Sequence, residues 1–128
     1  MGNNLKIMIV DDEPDFLELM ALRMSSWGYD VFKATRGKEA VALARSKAPD
    51  ILVLDYMMPD MDGVATLKEI RKFNKTVAVI MFTAYPSTKV MEDTEKLGIQ
   101  AFIPKLSAYS EVVPALKSAV EMLRKNIG

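Results

Sequence analysis

The stretch Leu5-Lys6-Ile7-Met8-Ile9-Val10-Asp11-Asp12-Glu13-Pro14-Asp15 decides how the rest of the chain is read. A short apolar run stops at consecutive acids, and a proline follows where a helix can begin. Proline suits the first turn because its missing N–H would have no intrahelical partner, and acids there face the positive end of the helix dipole. The segment reads as a buried strand running into an amphipathic helix, with Asp11 and Asp12 at the junction.

Working outward, the same unit recurs along the chain. Strands are predicted over Leu5 to Val10, Asp30 to Ala34, Ile51 to Leu54, Val77 to Phe82 and Ala101 to Ile103. Stretches with helical apolar spacing separate them, the pattern of a parallel sheet with crossover helices. The first, third and fourth runs are almost continuously apolar, as expected of strands covered on both faces. Helix one, from near Pro14, should bury Phe16, Leu17, Met20, Met24 and Trp27. Helix two follows Gly37 with Ala40, Val41 and Ala44 inward, and Ala48-Pro49-Asp50 ends it. Helix three begins after Gly63 with Val64, Leu67 and Ile70 inward. Helix four, about Ser87 to Leu97, sets Val90, Met91 and Leu97 among charges and is expected to be the most loosely held. Helix five, Ser110 to Lys125, carries Val112, Val113, Leu116, Val120 and Leu123 on one side, with Pro114 in its first turn. The fold class is α/β: a five-stranded parallel sheet with helices on both faces.

With 128 residues and 50% hydrophobic content, one domain spanning residues 1–128 is expected. Lys+Arg and Asp+Glu both number 17, so no basic excess exists to neutralise a phosphate backbone, and direct nucleic-acid binding is not expected. The apolar stretch Ile7 to Val10 is too short for a signal-peptide core or a membrane span, and a cytoplasmic location with no membrane partner is expected. The absence of His and Cys removes imidazole bases, thiol nucleophiles and the usual zinc ligands. Chemistry here must run on carboxylates, hydroxyls and amines.

In an open α/β sheet, ligands bind beyond the carboxyl ends of the strands. Asp11 and Asp12 follow the first run, Asp55 the third, Thr83 the fourth, and Lys105 comes two residues after the fifth. Carboxylates about 4 Å apart repel by several kcal/mol per pair near a protein surface. Lys105 offsets part of this, and a hard divalent cation the rest, which points to Mg²⁺ with Mn²⁺ able to substitute. Such a pocket neutralises the equatorial oxygens of a phosphoryl group, with Asp55 the natural nucleophile forming an acyl phosphate.

Taken singly, each residue has a plainer reading. Asp11 and Asp12 could cap helix one, Asp55 could open a turn, Thr83 could end a strand, Lys105 could be a surface amine and Phe102 could be core. Their convergence outweighs those readings. A flavin- or nucleotide-binding domain of this architecture is disfavoured because Asp11, Asp12 and Glu13 repel phosphate. A phosphohydrolase working through aspartyl phosphate would want a second acid two residues after its nucleophile, where Met57 stands.

Four segments then occur in order: Val10-Asp11-Asp12-Glu13-Pro14, Asp55-Tyr56-Met57-Met58-Pro59-Asp60-Met61-Asp62-Gly63, Thr83-Ala84 and Phe102-Ile103-Pro104-Lys105. With them the chain resembles a CheY-like response-regulator receiver domain of two-component signalling, over essentially its whole length. The resemblance implies a flavodoxin-like (βα)5 fold and phosphorylation of Asp55 by a sensor histidine kinase, a phosphotransfer protein or acetyl phosphate. Asp12, Asp55 and the Met57 backbone carbonyl would bind Mg²⁺ directly, and Asp11 through water. Thr83 and Lys105 would contact the phosphoryl oxygens, and Phe102 would turn inward as Thr83 moves. That movement would reshape the face of helix four, strand five and helix five for a downstream protein target, an effector domain or a phosphorylation-dependent homodimer. Such a protein is not a conventional enzyme; it catalyses its own phosphorylation and dephosphorylation. The alternative is a receiver-like interaction module that signals without phosphorylation.

Two departures matter. A proline usually follows the lysine, often through a cis bond, whereas Leu106 follows Lys105 and Pro104 precedes it. A cis bond before a residue other than proline costs roughly 2.5 to 4 kcal/mol, so the reach of Lys105 toward Asp55 becomes the point to test. The residues two beyond the phosphoacceptor and two beyond the threonine flank the path of the hydrolytic water, and here they are Met57 and Tyr85. Neither is acidic or an amide, which predicts slow autodephosphorylation.

Overall fold

Apolar β-rich runs and helical repeats sort in the computed structural model as the periodicity requires; it describes residues 4–84, 87–105 and 109–127. The elements follow one another as β1 (Lys6–Val10), α1 (Pro14–Ser26), β2 (Asp30–Ala34), α2 (Gly37–Lys47), β3 (Ile51–Asp55), α3 (Gly63–Arg71), β4 (Ala78–Thr83), α4 (Thr88–Glu95), β5 (Ala101–Pro104) and α5 (Tyr109–Ile127). All the strands are parallel, in the order β2-β1-β3-β4-β5.

Side chains alternate across each strand, and both faces are covered. Ile7, Ile9, Val53 and Ile80 point toward α1 and α5, where Phe16, Met20, Leu116 and Val120 meet them. Met8, Val10, Leu52, Leu54 and Met81 point the other way, against Ala40, Ala44, Leu67 and Ile70 of α2 and α3. This double coverage is why β3 and β4 are buried along their whole length, while the outer strands β2 and β5 are not.

Register does the positioning. Val10 lies beside Leu54, Leu54 beside Met81 and Met81 beside Phe102, so these strands finish within two residues of that row, at one edge of the sheet. Three strand ends run further than their apolar content indicated. β3 includes Asp55, β4 includes Thr83 and β5 includes Pro104, so Asp55 and Thr83 are held by strand backbone rather than by loops. The ladder bonds continue one residue past the last apolar side chain.

Some helix expectations need correction. Met91 is 45% exposed, and Thr94 takes the buried position, its hydroxyl donating to the Val90 carbonyl at 2.9 Å. Val90 and Thr94 are four apart and share a face, whereas Met91 is turned about 100° away. Trp27, Val41, Val64, Leu97 and Val113 are half-buried rather than buried. α5 begins at Tyr109, which puts Pro114 inside the helix instead of in its first turn, where the backbone bond back to Ser110 is forgone.

Candidate functional site

Asp11 sits immediately past β1, its N–H donating to the Ala34 carbonyl at 3.1 Å. One carboxylate oxygen accepts the Glu13 N–H at 2.8 Å, and the other accepts from the Lys105 ammonium at 2.9 Å. The capping role thus holds in part for Asp11. The N-cap residue itself is Glu13, whose side chain makes no capping bond.

Asp55 ends β3 with 3% exposure, and the turn after it is fixed by backbone bonds. Tyr56 N–H donates to the Phe82 carbonyl and Gly63 N–H to the Tyr56 carbonyl, both at 2.8 Å. α3 starts so close that a Cβ on Gly63 would lie 2.6 Å from the Asp55 carbonyl oxygen. Glycine is required by that approach. Asp62 caps α3, accepting the Ala65 N–H at 2.8 Å.

Lys105 follows β5 directly, and its N–H donates to the Thr83 carbonyl at 2.6 Å, which ties the lysine to the threonine through the sheet. Its side chain points inward. Nζ bonds Asp11 at 2.9 Å, also bonds Glu13, and stands 3.6 Å from Asp55 Oδ2. The Phe16 ring supports it from below, with Nζ 4.4 Å from the centroid, and Phe16 packs edge-on against Phe82 and Tyr109.

Carboxylate oxygens of Asp11, Asp12 and Asp55 lie within 4.8 Å of one another. Their electrostatics follow from burial. Desolvation, reinforced by the charge of Asp11, raises the Asp55 pKa to about 7, against the opposing pull of Lys105. Desolvation also raises Asp11, partly offset by the Glu13 N–H and by Lys105. Burial alone would lower Lys105, but its bonds to Glu13 and Asp11 and the charges of Asp11 and Asp55 prevail and raise it. Three crowded carboxylates that share one buried ammonium are short of positive charge. A hard, oxygen-seeking divalent cation fits that donor set.

The structure therefore brings Asp11, Asp12, Asp55 and Lys105 together, with Thr83 fully buried at the adjacent strand end. The displaced proline does not turn Lys105 away. Met57 is 51% exposed beside the pocket. Phe102 is half-buried against the α2–α3 side of the core and lines a cavity of about 170 Å³ with Met91, Thr94 and Ile99. Tyr85 and the Lys105–Leu106 bond lie outside the described residues. Sequence reasoning assigned Glu13 and Phe16 no part in the site. No signal in one sequence marks the first, since acids before a helix read as caps. The second was recognised only as core.

A family model for the response regulator receiver domain matches residues 7–117. The chain belongs to that family. This receiver domain is 31% identical over 114 residues to sporulation initiation phosphotransferase F of Bacillus subtilis, an alignment covering 89% of the chain and 92% of that protein. It is 30% identical over 131 residues to the transcriptional regulatory protein ZraR of Escherichia coli O157:H7, with 92% of the chain covered. The chain spans about 30% of the length of that relative. Among solved structures, the CheX–CheY–BeF3–Mg complex from Borrelia burgdorferi aligns with TM-score 0.81 and 30% identity over 93% of this chain and 91% of that one. In this receiver domain no helix among the described residues is long and apolar enough to cross a membrane.

Proposed function

We propose that this receiver domain is a phosphoacceptor switch in two-component signalling, with Asp55 the acceptor. The observation that carries the reading is the meeting of Asp11, Asp12 and Asp55 within 4.8 Å, with the Lys105 ammonium 3.6 Å from Asp55. Asp55 attacks phosphorus, a new P–O bond forms, and the donor's P–O or P–N bond breaks with its electron pair leaving on the donor. The donor is a sensor histidine kinase, a phosphotransfer protein or a small acyl phosphate. Asp12, Asp55 and the Met57 carbonyl would hold Mg²⁺, with Asp11 acting through water, and Mn²⁺ would substitute. When bound, that ion supplies positive charge to the phosphoryl oxygens.

Lys105 and Thr83 contact the phosphoryl oxygens. Thr83 ends β4 beside Pro104 of β5, and Phe102 lies two residues back on β5 beside Met81, a short path from the pocket to the face of α4, β5 and α5. Phe102 is the switch aromatic, and that face engages a downstream protein, an effector domain or a second copy once Asp55 is phosphorylated. The domain works in the cytoplasm. Its autodephosphorylation is slow, because neither Met57 nor Tyr85 is an acid or an amide.

Intact mass after incubation with acetyl phosphate, with and without Mg²⁺ and alongside Asp55→Asn, tests the reading. One added phosphoryl group that requires both Mg²⁺ and Asp55 is expected. No adduct, with beryllofluoride also failing to bind, would leave a module that signals without phosphorylation.

A further inference from the structure

Glu13 takes no part in the reaction as set out above, yet its carboxylate is the solvent-side partner of Lys105. An ammonium has three donors. One goes to Asp11 at 2.9 Å and one to Glu13, whereas Asp55 Oδ2 at 3.6 Å is beyond hydrogen-bond length. The Lys105 and Asp11 side chains are 6% and 1% exposed, that of Glu13 55%.

Backbone geometry explains how Glu13 reaches the lysine. It is the N-cap residue of α1, and its N–H is pinned by Asp11 at 2.8 Å. The usual N-cap side chain is short and turns back onto the helix. Glutamate is longer, makes no such bond, and extends over Lys105 instead.

We propose that Glu13 is a positioning residue that restrains Lys105 and opposes loading of the pocket, because its carboxylate competes with the incoming phosphoryl group for the ammonium. This rests on the phosphoacceptor reading. The third donor is uncommitted, but to bring it onto a phosphoryl group on Asp55, Nζ must move toward that residue from 3.6 Å, which stretches one of its existing bonds. Giving up Asp11 would strand a buried charge. Giving up Glu13 hands a half-exposed carboxylate to water, so Glu13 is the partner released. Its negative charge at the pocket mouth acts in the same direction, repelling the phosphoryl anion.

Beryllofluoride binding at saturating Mg²⁺, followed by ¹⁹F NMR, tests this on the whole chain, with Mg²⁺ titrated alone by calorimetry. A half-exposed charge pair shifts an equilibrium by about two- to five-fold. Glu13→Gln should therefore bind beryllofluoride about two- to five-fold tighter and label faster with acetyl phosphate by a similar factor, while binding Mg²⁺ alone no tighter. Glu13→Ala, which cannot bond the ammonium at all, should match or exceed it. A residue that only holds the start of α1 would instead weaken both ligands on substitution, and that result overturns the proposal, as does unchanged beryllofluoride affinity. A wild type that neither labels nor binds beryllofluoride overturns the phosphoacceptor reading itself, and the proposal with it.

Discussion

The Lys105 ammonium stops 3.6 Å from Asp55 Oδ2, although it bonds Asp11 at 2.9 Å. The lysine is thus the counter-ion of Asp11 and Glu13 before it is that of Asp55, and Asp55 is left under-compensated. Lys105→Met keeps the apolar stem and deletes the charge. Removing one partner of a buried pair costs about 3 kcal/mol, because the other charge stays buried. Urea unfolding at neutral pH without divalent ions should show a loss of that size, with Mg²⁺ recovering part of it. Equal stability of variant and wild type would mean that Asp11 discards its charge instead.

The raised Asp55 pKa fixes a pH dependence whose sign can be worked out. Its ordinary value is 3.8 and its folded value about 7. Between these, the folded state keeps a proton that the unfolded state has released, so stability falls as pH rises through the window and levels off above it. Asp11 is raised too and acts in the same direction. Without divalent ions, Asp55→Asn should exceed the wild type by about 1 to 3 kcal/mol at pH 8, the two converging near pH 4. Urea melts across that range check it. A variant less stable than the wild type at pH 8 would refute the argument.

Sequence made the central strands legible because β1, β3 and β4 are covered on both faces, and burial of that kind leaves no polar gaps in the apolar run. The site was legible for a related reason: Asp11 and Asp55 each interrupt such a run where the sheet ends, and Lys105 follows the shorter run of the outer strand β5. The partner choice of Lys105 was not, because bonding Asp11 across 94 residues depends on where a flexible side chain comes to rest. Which face of α4 is buried was not legible either, because the helix is only 8 residues long and its second buried residue is Thr94, a polar one.

Met57 stands two residues beyond Asp55 and is 51% exposed, and on the proposed function it flanks the path of water to the phosphoryl group. A thioether neither donates a hydrogen bond nor activates a water. Met57→Asn places an amide there, and loss of radiolabelled phosphoryl group should accelerate about ten-fold, less than the roughly 10²- to 10⁴-fold of a positioned acid or base because an amide orients water without taking its proton. Decay at the wild-type rate would remove Met57 from control of the phosphorylated lifetime.

Gly63 offers the sharpest test of how the fold positions Asp55. A Cβ there would lie 2.6 Å from the Asp55 carbonyl oxygen and 2.9 Å from the Tyr56 Cα. Both are backbone atoms that cannot rotate aside, so either α3 or the end of β3 must shift. Alanine gains about 1 kcal/mol of helix propensity over glycine, while overpacking of this kind costs about 1 to 3 kcal/mol. Gly63→Ala should therefore be less stable by up to about 2 kcal/mol, and any shift of β3 carries Asp55 away from Asp11 and Asp12. Mg²⁺ affinity by calorimetry should fall with it, whereas a variant displaced only at α3 would lose stability and keep the ion. Wild-type stability together with wild-type Mg²⁺ affinity would show that the close approach of α3 does not hold Asp55 in place.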